Sequence, residues 1–519
     1  MMSEHSGAVK TADESAVDVV FHSNHETLRV ATGIAGFDAI LGGGLPRDQA
    51  CLVQGDPGAG KTTFALQFAI AGAQQNERVL YLSTCESEAE IRNIAKSHGW
   101  DLEGVDIHYH DARKCFGDDG KDSQQSVFHP AEVELPRTIE ALLSAIDRAD
   151  PQRLVIDSLS EIRLLAADPR WFRQQVLTLK EDLGNRECTT LFCDDRLSPD
   201  QPVQSIVHGV IELEQLVSEY GPDHRRLRVV KMRAQPFSSG YHDMTIRTGG
   251  INVYPRLIAA EHRGGFSSET ISSGLAELDT MFGGGIDRGT ATLLLGPSGT
   301  GKSTMASQIV AAAAGRNERG AMFIFDERIQ TLLDRAKGLG LDLEEQLGNG
   351  LVEVHQVDPA ELTAGEFSQT VSRAVTERDV RLVVIDSLAG YLNAMPNERL
   401  LTLYLHELLS YLNHQGVTVL MVMTQHGLPG ISRHTPFDLS YIADSVLLFQ
   451  TFEYAGELHK AISVYKRRYG AHEPTLRELC FGAQGIQIGE PLRQFQGIVT
   501  GTPSYTGERL PDVRDHDQS

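Results

Sequence analysis

The chain has 519 residues, with 47 Lys and Arg against 70 Asp and Glu, a formal net charge of −23 and 41% hydrophobic residues. At roughly 100–200 residues per domain, this length implies two or three domains. The acidity argues against nucleic acid as a partner, because a phosphate-backbone binder needs basic surface, and no apolar run approaches the ~20 residues of a membrane span.

Residues 1–27 are polar, carry no apolar signal core, and are expected to be disordered; the protein is expected to be cytoplasmic. Six cysteines, Cys51, Cys85, Cys115, Cys188, Cys193 and Cys480, form no CxxC pair and no zinc spacing, which fits reduced thiols.

Residues 32–63 read TGIAGFDAILGGGLPRDQACLVQGDPGAGKTT. CLVQG predicts a buried strand and Ala65–Ala73 a helix, with GDPGAGKT between them in the form G-x-x-x-x-G-K-[ST]. The whole run Gly55, Asp56, Pro57, Gly58, Ala59, Gly60, Lys61, Thr62 and Thr63 is assigned to ATP. Gly58 and Gly60 let backbone N–H groups wrap phosphates without steric cost. Lys61 should reach the β- and γ-phosphates, and the Thr62 hydroxyl should reach Mg²⁺.

The strand RVLYLS is followed by Cys85 and Glu86, where a hydrolytic site needs its base. A thiol with an ordinary pKa near 8.5 is a poor substitute for a carboxylate there. A helix is expected over Pro136–Ala149. RLVIDS is the next strand, and Asp157 at its end can hold the Mg²⁺ shell. TTLFCDD is another strand. LRVVKMR and MTIRTGGINVY alternate in strand fashion and predict antiparallel strands at one edge. Lys231 and Arg233 fall at alternate positions, so they are expected to share a strand face.

The Gly- and Ser-rich stretch 261–270, EHRGGFSSET, predicts a linker. After it the pattern returns. Residues 273–304, SGLAELDTMFGGGIDRGTATLLLGPSGTGKST, repeat the first opening and its glycine loop. Here Gly296, Pro297, Ser298, Gly299, Thr300, Gly301, Lys302, Ser303 and Thr304 are assigned to ATP, with Ser303 toward Mg²⁺. The pair Asp326–Glu327, the strand RLVVIDS ending in Asp386, and Lys466 with Arg468 repeat the later motifs in the same order. A duplicated domain is implied, with copies at 28–260 and 271–490 and a C-terminal segment with a polar tail at 491–519. Strands alternating with helices predict an α/β fold, each copy a mainly parallel sheet flanked by helices with added antiparallel edge strands.

Over residues 28–504 these motifs, together with FDLSYIADSVLLFQTFEYAGELHKAISVYKRRYGAHEPTLREL from Phe437, resemble the KaiC family of tandem RecA-like P-loop ATPases. The resemblance implies an ATP-dependent homo-hexameric double ring with nucleotide at subunit interfaces. It also implies a slow ATPase in the first domain, autophosphorylation on a Ser/Thr pair in the second, and small clock-type or two-component signalling proteins as partners. Asp326 and Glu327 fall on the family's catalytic Glu-Glu pair. Cys85 falls where the first domain has its first Glu, which leaves Glu86. Ser440 falls on the phosphorylated Ser, and Tyr441 replaces the phosphorylated Thr. Lys231, Arg233, Lys466 and Arg468 match the family's trans-acting cations.

The leading reading is therefore an ATPase and serine autokinase with ATP and Mg²⁺ as cofactors. In it the γ-phosphate passes from the second domain to Ser440 of the adjacent subunit. Lys302 and the trans Lys466 and Arg468 stabilise charge, and Asp326 or Glu327 takes the hydroxyl proton. Lys61 and Glu86 serve the first site. Two other readings are a nucleotide-gated scaffold with little turnover, which Cys85 favours for the first ring, and a RecA-type DNA recombinase or helicase. The net charge and the lack of a basic, aromatic single-strand platform stand against the last.

Overall fold

A computed structural model describes residues 28–115, 130–166, 168–196, 203–217, 221–258, 269–392, 398–424, 441–482 and 484–507. The expected disordered N-terminus, residues 261–268 of the expected linker, Ser440 and the end of the polar tail lie outside them.

The apolar runs form strands because both faces of each are covered. Every residue of Ala50–Gly55, Val79–Ser83 and Arg153–Asp157 is buried, as expected of parallel strands lying between helical layers. Among the described residues each copy builds one nine-stranded sheet. In the first, the order is Gly250–Tyr254, His242–Arg247, His224–Met232, Gly209–Leu216, Ala50–Gly55, Thr189–Asp195, Arg153–Asp157, Val79–Ser83 and Ile107–Asp111. The six strands from Gly209–Leu216 onward pair in parallel, and the other three add antiparallel. The second sheet has the same plan around Ala291–Gly296: Ser445–Tyr454 pairs with it in parallel, and Glu457–Arg467, Arg477–Gly482 and Gly485–Pro491 add antiparallel at that edge. These are the two tandem RecA-like domains expected. Each sheet carries a separate apolar core on either face.

Two local expectations are corrected. The helix expected from Pro136 begins at Pro130, so Pro136 lies inside it. Both prolines suit a first helical position, and the helix starts at the earlier one. The edge strands also stop short of the second cation of each pair. Arg233 and Arg468 lie one residue beyond the strands His224–Met232 and Glu457–Arg467. A register shift precedes each: Val210 pairs with Lys231 but Ile211 with Val229, and Val446 pairs with Lys466 but Leu447 with Val464. The extra residues, Val230 and Tyr465, are exposed apolar side chains in the same place in both copies. No helix among the described residues is long and apolar enough to cross a membrane.

Candidate active sites

Each glycine loop follows a central parallel strand and leads into a helix, Lys61–Gln74 or Lys302–Gly315. The loop backbone turns through left-handed values at Gly58 (φ 84), Gly60 (φ 107), Gly299 (φ 76) and Gly301 (φ 99), which a residue with a Cβ adopts only at a cost. Gly60 and Gly301 stand at the N-caps, and neither helix has a side-chain cap. Their first N–H groups therefore remain for an anion, with the helix dipole behind them. Phe481 closes on the second loop, so that a Cβ on Gly301 would fall 2.0 Å from its ring.

Lys61 Nζ donates to the carbonyls of Gly55 (2.9 Å) and Asp56 (3.2 Å) and lies 2.8 Å from Asp195 Oδ1. Lys302 Nζ donates to the carbonyls of Gly296 (2.8 Å) and Pro297 (2.6 Å). Burial pushes the Lys302 ammonium down to about 8, against the pull of Asp386.

The expected Mg²⁺ residues meet in both domains. Asp157 accepts from Tyr81 Oη at 2.8 Å, and the nearby Thr62 hydroxyl also lowers its carboxyl. The Ser303 hydroxyl does the same for Asp386, and the two line one cleft. Burial raises both carboxyls, and these hydroxyls oppose it. A hydroxyl beside a carboxylate is a hard-oxygen donor pair that fits Mg²⁺, which keeps water and phosphate oxygens as its other ligands. Among the described residues no group of three or more His, Cys, Asp or Glu is placed to hold a metal ion.

In the second domain Gly299, Lys302, Ser303, Asp326, Glu327 and Asp386 line one cleft of about 1100 Å³. Asp326 accepts from Ser387 Oγ, and Glu327 is ion-paired with Arg335. In the first domain the corresponding place holds Cys85, whose sulfur lies 3.6 Å from Thr84 Oγ1 and whose thiol is pushed up by burial. Glu86 accepts from Ser83 Oγ at 3.1 Å, and burial, then the charge of Asp157, raises its carboxyl.

The paired cations lie elsewhere. Lys231 Nζ and Arg233 donate to the carbonyls of Gln204 and Ser205. Lys466 Nζ donates to the Ala443 carbonyl; Arg468 pairs with Asp444 and donates to the Tyr441 carbonyl. Neither Lys466 nor Arg468 lines the second cleft of its own chain. Tyr441 is 60% exposed.

Sequence reasoning passed over Asp195, Arg335 and Ser387. Ser387 directly follows Asp386 and was readable. Asp195 ends the apolar run TTLFCDD, the same signal that marks Asp157, whereas Arg335 carries no local signal.

A family model described as the KaiC ATPase matches residues 30–258 and again residues 271–493. The chain is 28% identical over 496 residues to the circadian clock oscillator protein KaiC of Acaryochloris marina, covering 94% of each chain. It is 28% identical over 490 residues to the protein of the same name from Synechococcus elongatus, covering 93% of each. It is also 28% identical over 491 residues to the circadian clock protein KaiC3 of a Synechocystis species, covering 92% of this chain and 95% of that one.

Proposed function

The chain belongs to the KaiC family of ATPases, and from that membership we propose that it binds and hydrolyses MgATP in both domains and transfers phosphate to its own Ser440. The observation that carries the reading is the repeated meeting of P-loop hydroxyl and strand-end carboxylate, Thr62 with Asp157 and Ser303 with Asp386. Gly55 to Thr63 and Gly296 to Thr304 cradle the phosphates, and Lys61 and Lys302 meet the β- and γ-phosphates. Bound Mg²⁺ would neutralise charge on the phosphate oxygens.

In the second domain the Ser440 hydroxyl of one subunit attacks the γ-phosphorus held by its neighbour. The bond to the bridging oxygen breaks, ADP leaves, and the hydroxyl proton passes to a carboxylate. Arg335 holds Glu327 as an ion pair, so Asp326, which accepts from the neutral Ser387 hydroxyl, is the better acceptor. Lys466 and Arg468 act on the neighbour's nucleotide; their place outside their own cleft supports this, and Lys231 with Arg233 do the same in the first ring. The exposed Val230 and Tyr465 beside them suit a subunit contact, and the assembly proposed is an ATP-dependent homo-hexamer. The named relatives are clock proteins, so a timing or signalling output with small protein partners is part of the proposal.

The test follows phosphate on peptides of the purified protein over hours in MgATP. Phosphate on Ser440 that disappears in Lys302→Ala supports the autokinase. A chain that binds nucleotide yet stays unmodified supports the second reading, a nucleotide-gated ring with little turnover, which the neutral Cys85 favours for the first domain.

A further inference from the structure

The two sites hold their carboxylates differently. In the second, Asp326 and Glu327 follow the strand Arg319–Ile324, and Asp386 ends the strand beside it. The strand next to the P-loop strand contributes no acid there: Gly296, the first P-loop residue, pairs with Thr424. In the first, Cys85 replaces one acid, and Gly55 pairs with Asp195. The matching register position therefore carries a carboxylate in the first domain only.

Asp195 is held firmly. Its N–H donates to Ser160 Oγ at 3.2 Å and to Asp194 Oδ1 at 3.0 Å, while Asp194 is buried and paired with Arg163. Its own Oδ1 lies 2.8 Å from Lys61 Nζ, and its side chain keeps 30% of its surface exposed. Burial pushes its carboxyl up, but the hydrogen bond and charge of Lys61 outweigh this and leave it below the ordinary value. An ionised carboxylate thus stands beside the ammonium that a γ-phosphate recruits, and it is open to water.

We propose that Asp195 is the water-positioning carboxylate of the first ATP site, supplying from the neighbouring strand the group that Cys85 does not. This rests on the ATPase reading given above. When the Lys61 ammonium passes to phosphate, Asp195 keeps its place and accepts a hydrogen bond from a water molecule. The water oxygen attacks the γ-phosphorus as the bond to the bridging oxygen breaks. The bridging electron pair stays with ADP. The water proton passes to the Asp195 carboxylate and from there to the departing phosphate.

The full-length chain carrying Lys302→Ala, which silences the second site, is the background for the test. Phosphate release and the equilibrium affinity for a fluorescent ATP analogue are measured in parallel, with Lys61→Ala marking loss of first-site binding. Asp195→Asn should lower kcat by about 100-fold while affinity stays the same or tightens, because a competitor for Lys61 is gone. Asp195→Glu should recover most of the rate, and Asp195→Ser serves as a second neutral variant. The proposal is overturned if both neutral variants keep kcat within about twofold, or if rate and affinity fall together, as a structural role would produce. If the background chain binds the analogue yet releases no phosphate, the ATPase reading of this site fails, and the role of Asp195 falls with it.

Discussion

Asp243, on the strand His242–Arg247 of the first domain, accepts a 2.7 Å hydrogen bond from the Gly365 N–H at the head of the helix Ala364–Arg378 in the second. Asp243 is only 7% exposed, so this bond joins the domains out of water. Beside it Arg247 forms a bidentate pair with Glu366, at 2.6 and 2.9 Å, from an exposed position.

Removing the acceptor should matter more than removing the ion pair. Asp243→Ala leaves a buried N–H unsatisfied and should cost about 1–3 kcal/mol. Arg247→Ala, half-exposed, should cost about 1 kcal/mol or less. Denaturant titrations of the two variants give the order, and a larger loss in Arg247→Ala would contradict it.

The same carboxylate makes the joint sensitive to pH. Burial raises the Asp243 carboxyl, against the bond from Gly365. The native state then binds the proton more tightly than the unfolded state, whose Asp value is about 3.9. This group's contribution is therefore most favourable below that value and declines as pH rises through the folded one. Asp243→Asn is neutral throughout. Its Tm relative to the parent should move upward as the pH is raised from about 4; a gap that stays constant would remove the buried charge from the account.

The two P-loop glycines should differ in tolerance. Each sits at positive φ, which costs a residue with a Cβ roughly 1–2 kcal/mol. At Gly60 the added Cβ presses on the flexible end of Ile246, at 2.6 Å, whereas at Gly301 it meets the Phe481 ring at 2.0 Å. Gly301→Ala should therefore abolish nucleotide-induced stabilisation of its domain, and Gly60→Ala should only weaken it. Thermal melts with and without ATP, each in a chain whose other P-loop lysine is replaced by Ala, separate the cases.

Thiol labelling should follow burial. Cys85 is exposed, while Cys51, Cys188 and Cys193 are buried, with Cys51 and Cys188 pushed up to about 12. In the native protein a maleimide should modify Cys85 ahead of these three, faster as pH rises because partial desolvation raises that thiol as well. Peptide mapping checks the order, and early modification of Cys193 would show that the sheet opens.

Much of the candidate site was legible because its signals are local. A glycine loop needs its glycines within eight residues, next to the strand and helix it joins. Asp157 and Asp386 were readable because each ends a continuous apolar run. The edge strands were visible in their alternation, but the bulges at Val230 and Tyr465 were not, since nothing in VVKM or VYKR marks which residue loses its partner.

What the sequence by itself determined is the pair of α/β domains, their glycine loops and the exchange of an acid for Cys85, all consequences of short-range pattern and backbone freedom. Tertiary structure alone decided that Asp195 meets Lys61, that Arg335 holds Glu327, and that Asp243 reaches the second domain. The first depends on the register between Gly55 and Asp195, the second on the turn of the chain into the helix Ile329–Gly338, and the third on docking of a strand edge against a helix end. In each case the partners are brought together by packing, and a carboxylate's neighbours in space leave no trace in its neighbours along the chain.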